Sequence, residues 1–163
     1  CFNSGSSCEK CDFETDLCKA FREFNLKPGW IRRNGQSGMG PPYSDHNGNN
    51  SAYFLSLSSD MRSSATLRTN VFLPSDKEHV CQITFHYWIS QMSGTLTVGL
   101  QKHSEDSITN IWQVSGEPQN QWKANTITIN STENYEVIFQ GMVETQRQDE
   151  TVAIDDITFS EGC

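Results

Sequence analysis

Two adjacent carboxylates, Asp155 and Asp156, interrupt an otherwise apolar run from Val152 to Phe159. The run is β-branched and aromatic, so it reads as a strand packed on a core. Strand side chains alternate between faces. Ala153, Asp155, Ile157 and Phe159 then share one face, and Val152, Ile154, Asp156 and Thr158 the other. Neither register lets both carboxylates leave the apolar side cleanly. A buried carboxylate is costly unless hydrogen-bonded, paired or bound to a cation. The pair is therefore either a polar anchor or one wall of a metal site. Asp12, Glu14 and Asp45, the last in an Asn-rich loop, are the other oxygen-bearing candidates. Calcium takes about six to eight oxygens. No contiguous loop here supplies them, so such a site would be assembled from distant segments.

Other reactive patterns are weaker. Cys8-Glu9-Lys10-Cys11 has the spacing of a redox dithiol, but the βαβ context and helix N-terminus that would lower a thiol pKa are not visible. A zinc site from the four early cysteines suits a reducing compartment. Of the histidines, His46, His79, His86 and His103, none has His-x-x-x-His spacing. His46 follows Asp45 in a long loop and could orient a site; His86 falls on the more polar face of a strand. There is no Gly-x-Ser-x-Gly elbow, no phosphate-cradling glycine loop and no identifiable acid/base pair. The expectation is a chain that is not an enzyme and needs no organic cofactor.

Composition narrows the class. The 163 residues suit one domain with a real core. Net charge is −8 with no basic patch, which disfavours nucleic acid and acidic lipid surfaces. No apolar run approaches the ~20 residues of a membrane span. No charged-then-apolar leader is visible, so a secretory signal is expected to have been removed. Six cysteines and two sequons, at Asn49 and Asn130, point to an oxidising, extracellular setting, either secreted or in the ectodomain of a membrane protein. Six cysteines allow fifteen pairings. Cys1, Cys8, Cys11 and Cys18 crowd together while Cys81 and Cys163 stand far off, so Cys1–Cys8, Cys11–Cys18 and Cys81–Cys163 is the simplest set.

These residues need a frame. Residues 1–10 are small and polar and read as a disulfide-tied lead-in to a domain over 11–163. Residues 34–51 hold several turn dipeptides and form a long loop of the functional kind. Strands are expected at Ala52–Leu57, Ala65–Leu73, Val80–Ser90, from Gly94, at Ile111–Val114, Trp122–Asn130, Tyr135–Val143 and Val152–Ser160. In the third, Cys81, Ile83, Phe85, Tyr87 and Ile89 share a face. No segment sustains helical apolar spacing. Many short strands with turn signals between them predict an all-β sandwich or jelly roll.

Several anchors in order give the chain a family likeness. Cys11-Asp12-Phe13-Glu14 is followed by Leu17-Cys18, Trp30, Asp45-His46, Gly48 and Tyr53. Then come Cys81 with Ile83-Thr84-Phe85-His86-Tyr87-Trp88, Gly94-Thr95-Leu96, Trp112, Gly116 and Trp122. The end carries Tyr135-Glu136-Val137-Ile138-Phe139-Gln140-Gly141, Ala153-Ile154-Asp155-Asp156-Ile157 and Cys163. This order resembles the MAM domain, the extracellular module of meprins, neuropilins and receptor-type tyrosine phosphatases. The resemblance implies a jelly-roll sandwich of two antiparallel sheets and four family cysteines at Cys11, Cys18, Cys81 and Cys163. It implies a non-catalytic module for cell adhesion, self-association (a homodimer) or receptor assembly, with a protein partner on the cell surface or a second copy. It also implies one structural calcium or sodium ion near Glu14, Asp45, Asp155 and Asp156. Four departures stand out: Phe24 to Gly29 replaces an acidic stretch, the aromatic common after Leu-Cys is displaced to Phe21, Gln140 replaces a usual Glu, and Cys1 and Cys8 lie outside the pattern. The alternative is a carbohydrate-binding jelly roll with Trp88 and Trp112 as stacking platforms, against which stands ordinary sheet-face packing of tryptophan.

Overall fold

A computed structural model describes residues 10–24, 29–57, 63–75, 78–90, 94–116, 120–144 and 149–163. Among these are eleven strands and no helix: β1 (Lys10–Cys11), β2 (Phe21–Phe24), β3 (Trp30–Asn34), β4 (Tyr53–Leu57), β5 (Ser63–Thr69), β6 (Cys81–Ile89), β7 (Gly94–Lys102), β8 (Thr109–Ser115), β9 (Lys123–Ile129), β10 (Tyr135–Val143) and β11 (Val152–Phe159). One sheet runs β3-β4-β11-β6-β9, and the other runs β2-β5-β10-β7-β8. Neighbouring strands are antiparallel throughout. The chain folds as the expected jelly-roll sandwich.

Period-two alternation explains the core. Ile83, Phe85, Tyr87 and Ile89 of β6 point inward with Leu96, Val98 and Leu100 of β7 and Tyr135, Val137, Phe139 and Val143 of β10. Trp30 of β3 and Leu57 of β4, from the same sheet as β6, join this core. Gly141 interrupts the inward face of β10 because Trp30 lies on it. A Cβ there would sit 2.9 Å from two atoms of the indole.

The first three strands escape sequence reading. β2 (Phe-Arg-Glu-Phe) and β3 (Trp-Ile-Arg-Arg-Asn) are short and charged, and β1 has only two residues. They are strands because of what they pair with. β4 pairs with Ala153 and Ile154 at one end of β11, and β1 pairs with Ile157 and Thr158 at the other. Asp155 and Asp156 therefore lie where one neighbour gives way to the next. Lys10, placed in the lead-in by composition, is the first residue of β1.

Cys11–Cys18 and Cys81–Cys163 are bonded. The expected Cys1–Cys8 bridge falls outside the described residues. No free cysteine occurs among the described residues.

Candidate functional site: a carboxylate–histidine clasp beside a cleft

β11 solves the problem of its two carboxylates with a bulge. Asp155 pairs with His86 of β6, and pairing resumes at Thr158 with Thr84. Asp156 and Ile157 together therefore stand opposite Phe85. Asp156 adopts φ +43°, a left-handed conformation that Asp tolerates better than most residues. The extra residue shifts the alternation. Val152, Ile154, Ile157 and Phe159 all enter the core, while Ala153 joins an outer cluster with Phe54, Trp88 and Trp122. Both carboxylates reach His46 on that outer side. This corrects the strict alternation read from the sequence, which put Ile157 beside Asp155 and made one carboxylate face the core.

His46 bridges the pair. Its Nδ1 lies 3.1 Å from Asp155 Oδ2 and its Nε2 3.3 Å from Asp156 Oδ2. The backbone N–H of Asp156 donates to Asp155 Oδ1 at 2.8 Å. Lys10 Nζ lies 2.9 Å from Asp156 Oδ1. The side chain of Asp155 is only 3% exposed. Burial, reinforced by the Asp156 charge and offset by the His46 hydrogen bond, pushes the Asp155 carboxyl up to about 6. The His46 ring stacks on His86 at 3.8 Å between centroids. Burial, then the nearby His46, pushes His86 down. Asp45 holds His46 in place from the loop. Its Oδ1 accepts from the N–H groups of Asn47 and Asn49 at 3.0 and 2.7 Å, winding residues 45–49 into a tight turn.

The cation implied by the resemblance can be tested against these donors. Asp45, Asp155 and Asp156 are brought together, but Glu14 is not. Its Oε1 instead accepts the Tyr53 N–H at 3.1 Å, and Arg32 holds the carbonyls of Phe13 and Glu14. Ligand-type atoms of Asp45, His46 and Asp155, and of His46, His86 and Asp156, lie within 4.8 Å of one another. Each triplet contains imidazole, which calcium does not favour. Both ring nitrogens of His46 face carboxylates, and two stacked rings do not aim in-plane lone pairs at one point. Lys10 and His46 occupy the positions a cation would neutralise. The residues as arranged do not fit a calcium or sodium seat; they form a clasp joining β1, the loop and β11.

The loop that carries His46 folds back over the outer apolar cluster. Arg33, 4% exposed, secures it. Its Nε donates to Ser56 Oγ at 2.7 Å, its Nη2 to the Pro41 carbonyl at 2.7 Å, and its Nη1 to the carbonyls of Gly40 and Pro42 at 3.3 Å. Its guanidinium lies 4.8 Å from the centre of the Phe54 ring. Loss of water around it lowers the Arg33 pKa to about 10. Gly35 lets the loop return closely, since a Cβ there would meet the Tyr43 carbonyl at 1.9 Å. Trp122 Nε1 donates to the Ser44 carbonyl at 2.9 Å. Between the loop, residues 120–122 and residues 149–150 remains a cleft of about 760 Å³. Trp88 is buried in its floor and Trp112 packs edge-on against Phe85 and Tyr87. Both follow the sheet-packing reading and neither is an open stacking platform. Tyr43 at the cleft is instead 68% exposed.

Sequence reasoning found Asp45, Asp155, Asp156 and the loop, and flagged His46 as an orienting residue. It missed Lys10, His86 and Arg33. For Arg33 the usable signal was the doublet Arg32-Arg33 beside Trp30 and Ile31: in an extended segment one of two adjacent cations turns inward and must find acceptors.

Residues 11–163 match the model of the MAM domain, meprin/A5/mu. MAM domain-containing protein 2 of Homo sapiens is 25% identical over 157 residues, covering 94% of this chain and 23% of that protein. MAM domain-containing glycosylphosphatidylinositol anchor protein 1 of Rattus norvegicus is 22% identical over 164 residues, covering 93% and 17%. The chain thus spans less than a quarter of the length of these relatives. The K2 cleaved adhesin domain of Lys-gingipain shares the fold, with TM-score 0.67 and 12% identity over 97% of this chain and 100% of that one. A match that begins at the Cys11–Cys18 staple and ends at Cys163 spans both sheets of the sandwich, and the chain accordingly belongs to the MAM domain family.

Proposed function

We propose that this domain is a non-catalytic extracellular recognition module, working in cell adhesion, self-association or receptor assembly as a piece of a larger protein. One observation carries the reading: the convergent Asp155–His46–Asp156 group is consumed in holding the fold. Its carboxylate oxygens face Lys10, His46 or a backbone N–H. A general acid or base needs a ring nitrogen or carboxylate oxygen open to a substrate proton, and both ring nitrogens of His46 already face carboxylates. The two disulfides, family membership and the anchored relative support an extracellular setting. Asn49 and Asn130 are exposed and are proposed to carry N-linked glycans.

A screen against cell-surface ectodomains, with this domain itself among them, tests the proposal. A protein partner or saturable self-binding is expected. Turnover by the purified domain that is lost in His46→Asn would overturn the non-catalytic reading. Sedimentation across concentration separates self-association, seen as growing dimer, from binding to other proteins alone.

A further inference from the structure

We propose that the cleft beside the clasp is a docking pocket for an arginine side chain of a protein partner. The inference rests on the recognition-module reading and names the chemistry of its contact. Three features point to a guanidinium. First, the cleft is acidic: Asp45, Asp149 and Glu150 line it, and no Lys or Arg does so among the described residues. Asp45 and Glu150 are buried, at 6% and 7%, and are held by partners within the fold, while Asp149 is exposed and is the carboxylate that a ligand would meet. His46, which also lines the cleft, faces Asp155 and Asp156.

Second, the cleft presents an aromatic ring on a held backbone. The Tyr43 carbonyl lies against Gly35, the Pro42 carbonyl accepts from Arg33, and the Ser44 carbonyl accepts from Trp122. The Tyr43 side chain nevertheless stays 68% exposed. An aromatic left in water on a rigid loop loses little conformational entropy when it is covered. Third, a planar guanidinium can lie on an aromatic face and fork to a carboxylate at once, which an ammonium cannot. The molecule uses the stacked half of that arrangement internally, with the Arg32 guanidinium 3.6 Å from the centre of the Tyr53 ring. The volume, about 760 Å³, admits an arginine with its flanking residues.

The test is an NMR titration of the isotope-labelled domain with acetyl-Gly-Arg-Gly-amide. The reporters are the Trp122 indole N–H and the amides of residues 43–46. The citrulline peptide, of the same shape without charge, and xylohexaose are run alongside. Saturable shifts of these reporters are expected with the arginine peptide, weaker by about tenfold with citrulline and weaker still at high salt. Asp149→Asn and Tyr43→Ala, both at exposed positions, should each weaken binding by about threefold while leaving melting unchanged. Equal shifts from arginine and citrulline, shifts confined to other surfaces, or no saturable shift would overturn the assignment. Saturation of the same reporters by xylohexaose alone would make the cleft a sugar site and overturn it too. If the peptide fails while the ectodomain screen yields a partner, the pocket is wrong and the recognition reading stands.

Discussion

Replacing Asp155 by Asn tests the clasp most directly, because the change keeps shape and removes charge. Asp155 Oδ1 accepts the Asp156 N–H and Oδ2 faces His46 Nδ1. An Asn side chain can keep the first bond through its oxygen. Its amide can donate to Nδ1 if the His46 proton sits on Nε2, toward Asp156. Burial raises the Asp155 carboxyl from 3.8 to about 6, so the folded state holds a proton that the unfolded state has released across that interval. Stability contributed by this residue is therefore highest at low pH and falls as pH rises from about 4 to about 6. Two pH units at 1.36 kcal/mol each come to about 3 kcal/mol. Asn does not titrate. The stability of Asp155→Asn relative to the native chain should rise by about 2–3 kcal/mol between pH 4 and pH 7.5 and level off above about pH 7. Urea unfolding of both proteins across that range measures the difference. The depressed His86 pKa acts with the opposite sign, costing stability as pH falls through 6.5; it is common to both proteins and largely cancels. A difference that is flat with pH, or that falls as pH rises, would refute the buried-carboxylate reasoning.

Arg33→Met should cost about 2–4 kcal/mol, since it strands the carbonyls of residues 40–42 and the Ser56 hydroxyl; hydrogen exchange should speed up in the loop first, and unchanged exchange there would refute its role as a pin. Gly141→Ala should destabilise by about 1–3 kcal/mol through contact with Trp30, read as a lower melting temperature. Opening Cys81–Cys163 by replacing both cysteines with serine should cost about 4–5 kcal/mol for a separation of 82 residues, measured by denaturant unfolding. Calcium added after chelation should move the melting temperature by less than about 1 °C; a concentration-dependent rise would show that a cation displaces Lys10 or His46.

Much of the sandwich is legible in the sequence because its long strands are amphipathic. β6, β7 and β10 alternate strictly, and their inward residues are the core residues. The Cys11–Cys18 and Cys81–Cys163 links follow from crowding at one end and isolation at the other. Trp88 and Trp112 follow their packing tendency. Such features depend on local period and composition, which a single sequence carries. The clasp and cleft depend on something else. Nothing local says that β11 inserts a bulge at Asp156, yet that one extra residue puts both carboxylates on the outer side. Lys10, His46, His86 and Asp155 come from four segments that meet only when β1 and β4 divide the edge of β11 and the loop folds over the sheet. Glu14, close to Lys10 in sequence, is drawn instead to the Tyr53 N–H. Residue types determined that buried charge here must be compensated; tertiary packing alone decided that Lys10, His46 and a backbone N–H face it, because the partner of a charge is set by what the fold brings within hydrogen-bond reach.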